Sequence, residues 1–269
     1  MKKPGKIEES LGAYDPKGHT ELVECMKKVI ILHGWTKNLD KWNNFLKIVG
    51  KKGINYSLPQ IPGLTESSEK IWDLDDYVKW LKNIVDKEKG KIILIGHSNG
   101  GRIALAFTNQ FPEKVEKLIL IDSAGIYHNE LPIKIKRIVF KTIAKIGAQA
   151  FGRARLLDRR GGIKKVLRNL LYKLAQESDY KDLNDNLKQT MINLISTDLK
   201  SVLAEIKIPT LIIWGAQDTI TPLSDGKLMH SLIKNSKLYI IKDAQHSPHF
   251  THAEEIANII IQQLSNLTI

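Results

Sequence analysis

The sequence predicts an α/β protein, a doubly wound and mostly parallel sheet with a helical segment inserted between two of its strands. Short apolar runs ending in turn residues recur along the chain, and amphipathic helical patterns separate them. One long stretch between two of these runs has helical patterning without strands. A length of 269 residues suits one domain carrying an insertion better than two independent domains.

Residues 1–27 are weakly patterned and are expected to add at most a short leading strand. The apolar runs are "VIILHG" from Val29, "KIILIG" from Lys91, "KLILID" from Lys117, "PTLIIWG" from Pro209 and "KLYIIKDA" from Lys237. They lack polar alternation, as expected of strands covered on both faces in a parallel sheet. Between them, "WDLDDYVKWLKNIV" spaces Leu74, Val78, Leu81 and Val85 by three and four residues, and "RIALAFTNQF" is similarly patterned before Pro112. "AEEIANIIIQQL" predicts a closing helix. Strands alternating with helices predict the doubly wound sheet. The alternation lapses over 127–200, which is read as a helical cap, leaving 1–126 and 201–269 as one core. Within the cap, Ile135, Val139, Ile143 and Ile146 share one helical side, and Lys134, Arg137, Lys141 and Lys145 the other. "GRARLLDRRGG" then reads as a break.

Hydrophobic residues make up 42% and charged residues 26%, an ordinary globular balance. No run of about 18 apolar residues exists, and no apolar segment follows the charged start, so neither a membrane span nor a cleaved signal is expected. Cys25 is the only cysteine, which excludes an internal disulfide and a cysteine-based metal site. A cytoplasmic protein is the expectation. The net charge of +12 is concentrated between Lys134 and Lys173, where Asp158 is the only acid. Such a basic cap reads either as a solvated face or as a dock for an anionic carrier or lipid surface. Nucleic acid is not expected, because aromatic interleaving and a recognisable module are lacking.

"LIGHSNGGRI" holds Ser98 in a Gly-x-Ser-x-Gly pattern that chance would produce in about one chain of this length in ten. Its context is more selective, because Ser98 falls between a predicted strand and a predicted helix, where a strained turn would expose its hydroxyl. A serine needs a base to take its proton, and the base needs an orienting group. Both are expected beyond the carboxyl ends of later strands, on the sheet edge that carries Ser98. Asp218 in "WGAQD" and His246 in "DAQHSPH" occupy such positions. Asp122, which also ends a strand, rivals Asp218. His249 and His252 rival His246, although no nearby carboxylate pattern completes a metal site with them. His33 and His97 read as loop-packing or supporting residues, and Trp35 and Trp42 either line a pocket or belong to the core. The backbone amides of Trp35, after the first strand, and Asn99, after Ser98, are the candidate oxyanion donors.

Through "HGW", "GHSNGG", "WGAQD" and "AQHSPH", in this order, the sequence resembles the α/β-hydrolase superfamily over roughly residues 28–269. The resemblance is to the single-domain type with a helical cap. It implies that Ser98 attacks a carbonyl, His246 acts as base and then acid, and Asp218 fixes the histidine tautomer. It also implies an acyl-enzyme that water hydrolyses. Some members place the acid at the position of Asp122. A serine nucleophile resembles the esterase branch, unlike the epoxide hydrolases and haloalkane dehalogenases that use Asp. The resulting expectation is a cofactor-free hydrolase of small-molecule carboxylic esters. The alternatives are a thioesterase or esterase for carrier-linked acyl groups, and a non-catalytic ligand receptor on this scaffold. Oligomeric state is not read from the sequence.

Overall fold

The computed structural model describes residues 28–36, 38–65, 68–127 and 185–265. Its sheet has six strands: β1 (Val29–Leu32), β2 (Tyr56–Ser57), β3 (Ile92–His97), β4 (Val115–Ile121), β5 (Thr210–Gly215) and β6 (Ser236–Ile241). All are parallel, in the order β2-β1-β3-β4-β5-β6. The helices are α1 (Asn43–Lys51), α2 (Leu74–Val85), α3 (Asn99–Gln110), α4 (Asp185–Ser196), α5 (Leu223–Leu232), α6 (Pro248–Thr251) and α7 (Ala253–Ser265).

The absence of polar alternation in the central strands has the predicted cause. Successive side chains of β3 point to opposite faces, and each face is covered. Leu94 joins a core with Leu32, Leu120, Trp214 and residues of α2 and α3. Ile93 and Ile95 join a second core with Ile31, Ile213, Phe45 of α1 and Ile256 of α7. Burying each such aliphatic side chain contributes about 1.5–3 kcal/mol. The edge strand β6 is only partly buried, and Ile240 is exposed.

Helix α2 occupies the predicted span and starts at a capping box, in which Asp73 accepts from the Asp76 amide and Asp76 accepts from the Asp73 amide. Sequence patterning did not reveal α1, α5 or the two-residue β2. Helix α5 carries Gly226 inside it, normally a breaker, because a Cβ there would lie 2.6 Å from the Trp214 ring.

The described residues resume after β4 at α4, and the two sides of this interval are joined by hydrogen bonds. Trp72 N–H donates to Thr190 Oγ1 (2.9 Å), Asn193 Nδ2 donates to Trp72 O (3.1 Å), and Leu199 N–H donates to Gly125 O (2.9 Å). Leu199, after α4, is thereby bonded to Gly125 beside the carboxyl end of β4, and α4 itself is tied to the segment before α2. The amphipathic pattern at 133–150, the basic segment, and residues 1–27 with Cys25 lie outside the described residues. No helix among those described is long and apolar enough to cross a membrane.

Candidate active site

Strand β3 passes into α3 through a single residue, Ser98, whose backbone takes φ 52° and ψ −120°. A non-glycine residue in this region is strained and persists only where its surroundings hold it. Here Ser98 N–H donates to Ile121 O (3.2 Å), and Ser98 O accepts from Arg102 N–H (3.2 Å) and Ala124 N–H (2.9 Å). The turn also needs glycine at 100, where a Cβ would stand 2.2 Å from Leu32 O.

Ser98 Oγ lies 3.0 Å from His246 Nε2, on the loop after β6. On the other side of the ring, His246 Nδ1 lies 2.8 Å from Asp218 Oδ2, on the loop after β5. Asp218 is held in turn: Oδ1 accepts from the Ile220 (2.7 Å) and Thr221 (3.1 Å) amides, and Oδ2 accepts from the Thr221 hydroxyl (2.7 Å). Burial pushes its carboxyl toward protonation, but the bonds from His246, Thr221 and Ile220 outweigh this and hold it below the ordinary range. An anionic Asp218 makes Nδ1 the protonated nitrogen of neutral His246. Nε2 is then free to accept the serine proton.

The loop after β1 closes the site from the nucleophile side. His33 Nδ1–H donates to Gly34 O (2.7 Å), while its Nε2 accepts from the Ile61 amide (3.1 Å). Burial lowers the His33 pKa to about 4, so the ring acts as a neutral staple. A Cβ on Gly34 would approach Ser98 Cβ to 2.8 Å, so this backbone lies directly against the nucleophile. The next amide is that of Trp35. Asn99 supplies the first N–H of α3, one of those that a helix leaves without an intrahelical acceptor. Trp35 is half-buried against the core, and Trp42 is fully buried.

The sequence matches the alpha/beta hydrolase fold family over residues 27–253. The chain belongs to the α/β-hydrolase family. Among its relatives, the 2-hydroxy-6-oxononadienedioate/2-hydroxy-6-oxononatrienedioate hydrolase of Escherichia coli O81 (strain ED1a) is 30% identical over 257 residues, 88% of this chain and 86% of that one. An esterase from Exiguobacterium antarcticum shares the fold with a TM-score of 0.68 at 19% identity, over 89% of this chain and 92% of that one. A meta-cleavage product hydrolase from Pseudomonas fluorescens IP01 gives 0.63 at 18% identity, over 90% and 91%.

Within this α/β-hydrolase the rival residues separate. Asp122 does not bond His246; its Oδ1 accepts from the Gly215 amide (2.8 Å), and burial followed by the nearby Asp218 charge raises its pKa well above the ordinary value. His249 is fully buried, its ring centroid 4.1 Å from that of Trp42 and 4.3 Å from that of His97. His252 lies between α6 and α7, its Nδ1 2.8 Å from Thr251 Oγ1. These histidines therefore do not converge on one point. Among the described residues, Asp122, Asp218 and His246 could approach a cation together, but Asp218 Oδ2 and His246 Nδ1 are already bonded to each other.

His97, read from the sequence as a supporting residue, donates from Nε2 to His246 O (2.8 Å). Burial lowers its pKa to about 3, so it too is neutral. Thr221 was missed. Its only sequence signal is a hydroxyl residue three places after the acid, a spacing that any turn could show.

Proposed function

We propose that this chain is a serine hydrolase that cleaves small-molecule carboxylic esters through an acyl-enzyme on Ser98. The observation that carries the reading is the Ser98–His246–Asp218 relay, 3.0 Å at one end and 2.8 Å at the other, with Ser98 on a strained turn. His246 Nε2 takes the Ser98 proton as Oγ bonds to the carbonyl carbon. The Trp35 and Asn99 amides are the proposed donors to the oxyanion. Collapse expels the alcohol oxygen, which receives the proton from Nε2. Water then gives a proton to Nε2 and attacks the acyl carbon, and Ser98 leaves with that proton. Asp218 stabilises the imidazolium in both halves. These steps call for no cofactor.

A second reading replaces the ester by a carbon–carbon bond beside a ketone. The hydrolase of 2-hydroxy-6-oxo-dienedioates that is 30% identical across most of this chain favours it. The same serine, base and amides serve, but the leaving group is a carbon that His246 must protonate. A pure ligand receptor is disfavoured, because binding alone has no need of an oriented base on a serine. Carrier-linked acyl groups would engage the basic segment, which lies outside the described residues.

A fluorophosphonate probe, a panel of short- to long-chain aryl esters and a 2-hydroxy-6-oxo-dienoate test these readings. Ser98→Ala should abolish labelling and lower turnover by about 10⁴-fold or more. Unchanged turnover would remove Ser98 as nucleophile. A dienoate turned over faster than every ester would assign the carbon–carbon reading.

A further inference from the structure

We propose that Arg102 is a positioning residue for Ser98: its guanidinium closes a ring of hydrogen bonds that holds the nucleophile turn against the segment following α4. The inference rests on the serine-hydrolase reading above, because it concerns the same serine.

The ring can be followed bond by bond. Ser98 O accepts from the Ala124 amide (2.9 Å), on the segment after β4. The next residue, Gly125, accepts at its carbonyl from the Leu199 amide (2.9 Å). Two residues before Leu199, Thr197 O accepts from Arg102 Nη1. Arg102 lies in the first turn of α3, and its own amide donates to Ser98 O (3.2 Å). The ring therefore begins and ends on one atom, the carbonyl oxygen of the strained residue. Asp198 reinforces it, since its Oδ1 accepts from the Tyr127 (3.2 Å) and Lys200 (3.1 Å) amides. The other links of the ring join backbone groups, so the Arg102 side chain is the link that a substitution can cut.

Arg102 is an expensive residue to place here. It is almost wholly buried, and its Nε has no hydrogen-bond partner among the described residues. Burial draws its pKa down to about 10 and the Asp198 carboxylate partly offsets this, so it stays charged at neutral pH. A buried cation with so little compensation adds little to stability, and an unbranched apolar chain would fill the same space. Such a chain would lack a donor for Thr197 O, a carbonyl just beyond the last turn of α4, where a cation is favoured. Ser98 keeps its φ of 52° only while its surroundings over-determine it. With the ring cut, the segment 197–199 loosens, and through Gly125 the Ala124 amide loosens on Ser98 O. The Ser98 hydroxyl then spends less time within reach of His246 Nε2.

The rate at which a fluorophosphonate phosphonylates Ser98 reads this directly, with a short-chain and a long-chain alkyl probe compared side by side. Ser98→Ala should not label; labelling at the wild-type rate would overturn the hydrolase reading itself. Arg102→Met should slow both probes equally, by about tenfold, with the urea midpoint near that of wild type. Arg102→Lys restores a cationic donor and should recover to within about threefold of wild type. Three results would overturn the positioning role while leaving the nucleophile intact. One is an Arg102→Met rate within about twofold of wild type. Another is a loss confined to the long-chain probe, which would move the role of Arg102 to the substrate wall. The third is a lysine variant as slow as the methionine one. A measurement on the unmutated protein covers any variant that fails to fold. The Leu199 amide should exchange its hydrogen as slowly as the Ala124 amide, and exchange at the rate of an open loop would overturn the proposal.

Discussion

His246 stands between two walls built on opposite principles. On the Nδ1 side lies a polar wall, where Asp218 Oδ2 accepts from His246 Nδ1–H (2.8 Å) and the Thr221 hydroxyl (2.7 Å), and the Asp122 backbone carbonyl lies 3.2 Å from that hydroxyl. On the other side, His97 and His249 pack with Trp42 and Phe250, and His249 has no hydrogen-bond partner for either ring nitrogen among the described residues. The hydrogen bond from His97 Nε2 to His246 O ties this second wall to the base. The polar wall controls where the protons sit, and the aromatic wall controls where the ring sits. The first task needs matched donors and acceptors, and the second needs volume and the exclusion of water.

The buried histidines, two in the aromatic wall and His33 in the loop after β1, should weaken the fold in acid. Burial keeps His33, His97 and His249 neutral, with pKa about 4 for His33, about 3 for His97 and well below the ordinary 6.5 for His249. The unfolded chain binds protons at these residues near pH 6.5 and the folded chain refuses them, so stability falls as pH drops below that value. Asp122 works in the opposite sense, since its raised pKa makes the folded state hold a proton that the unfolded chain has released. The three histidines outweigh this one carboxyl. Stability should fall by roughly 2–3 kcal/mol per pH unit between about pH 6 and 4. Urea midpoints across that range measure it, and a rising midpoint would contradict the assignment.

A smaller effect probes the polar wall. Thr221→Val keeps the shape but removes the hydroxyl from Asp218 Oδ2, and Ser98 labelling should slow by about tenfold at nearly unchanged stability. Less than a twofold change would mean that the two amides and His246 suffice to fix Asp218. The smallest effect belongs to His249. His249→Phe keeps an aromatic ring and removes two buried, unbonded nitrogens, so thermal unfolding should give a stability equal to wild type or up to about 1 kcal/mol higher. Labelling should stay within about twofold, and a large loss would give His249 a polar role.

Much of this was legible in the chain. The central strands, the Ser98 turn and the order of Ser98, Asp218 and His246 follow from local patterns, because a parallel sheet sends every strand's carboxyl end to one edge. Helices α1 and α5 were hidden because each is short and contains a glycine, Gly50 or Gly226. The bond between His97 and His246 links residues 149 positions apart, and no local spacing could have announced it.

The sequence by itself determined that two acids, Asp122 and Asp218, and several histidines would gather near one serine. Only the tertiary structure decided among them. Asp218 sits on a turn that offers it two amides and a hydroxyl, whereas the Asp122 backbone leaves one oxygen without a donor. His246 faces Ser98 because its loop carries it there, and His249, three residues on, is turned into the aromatic core. Residue type and strand order can be read along a chain. Which buried carboxyl holds the charge depends on the donors folded around it.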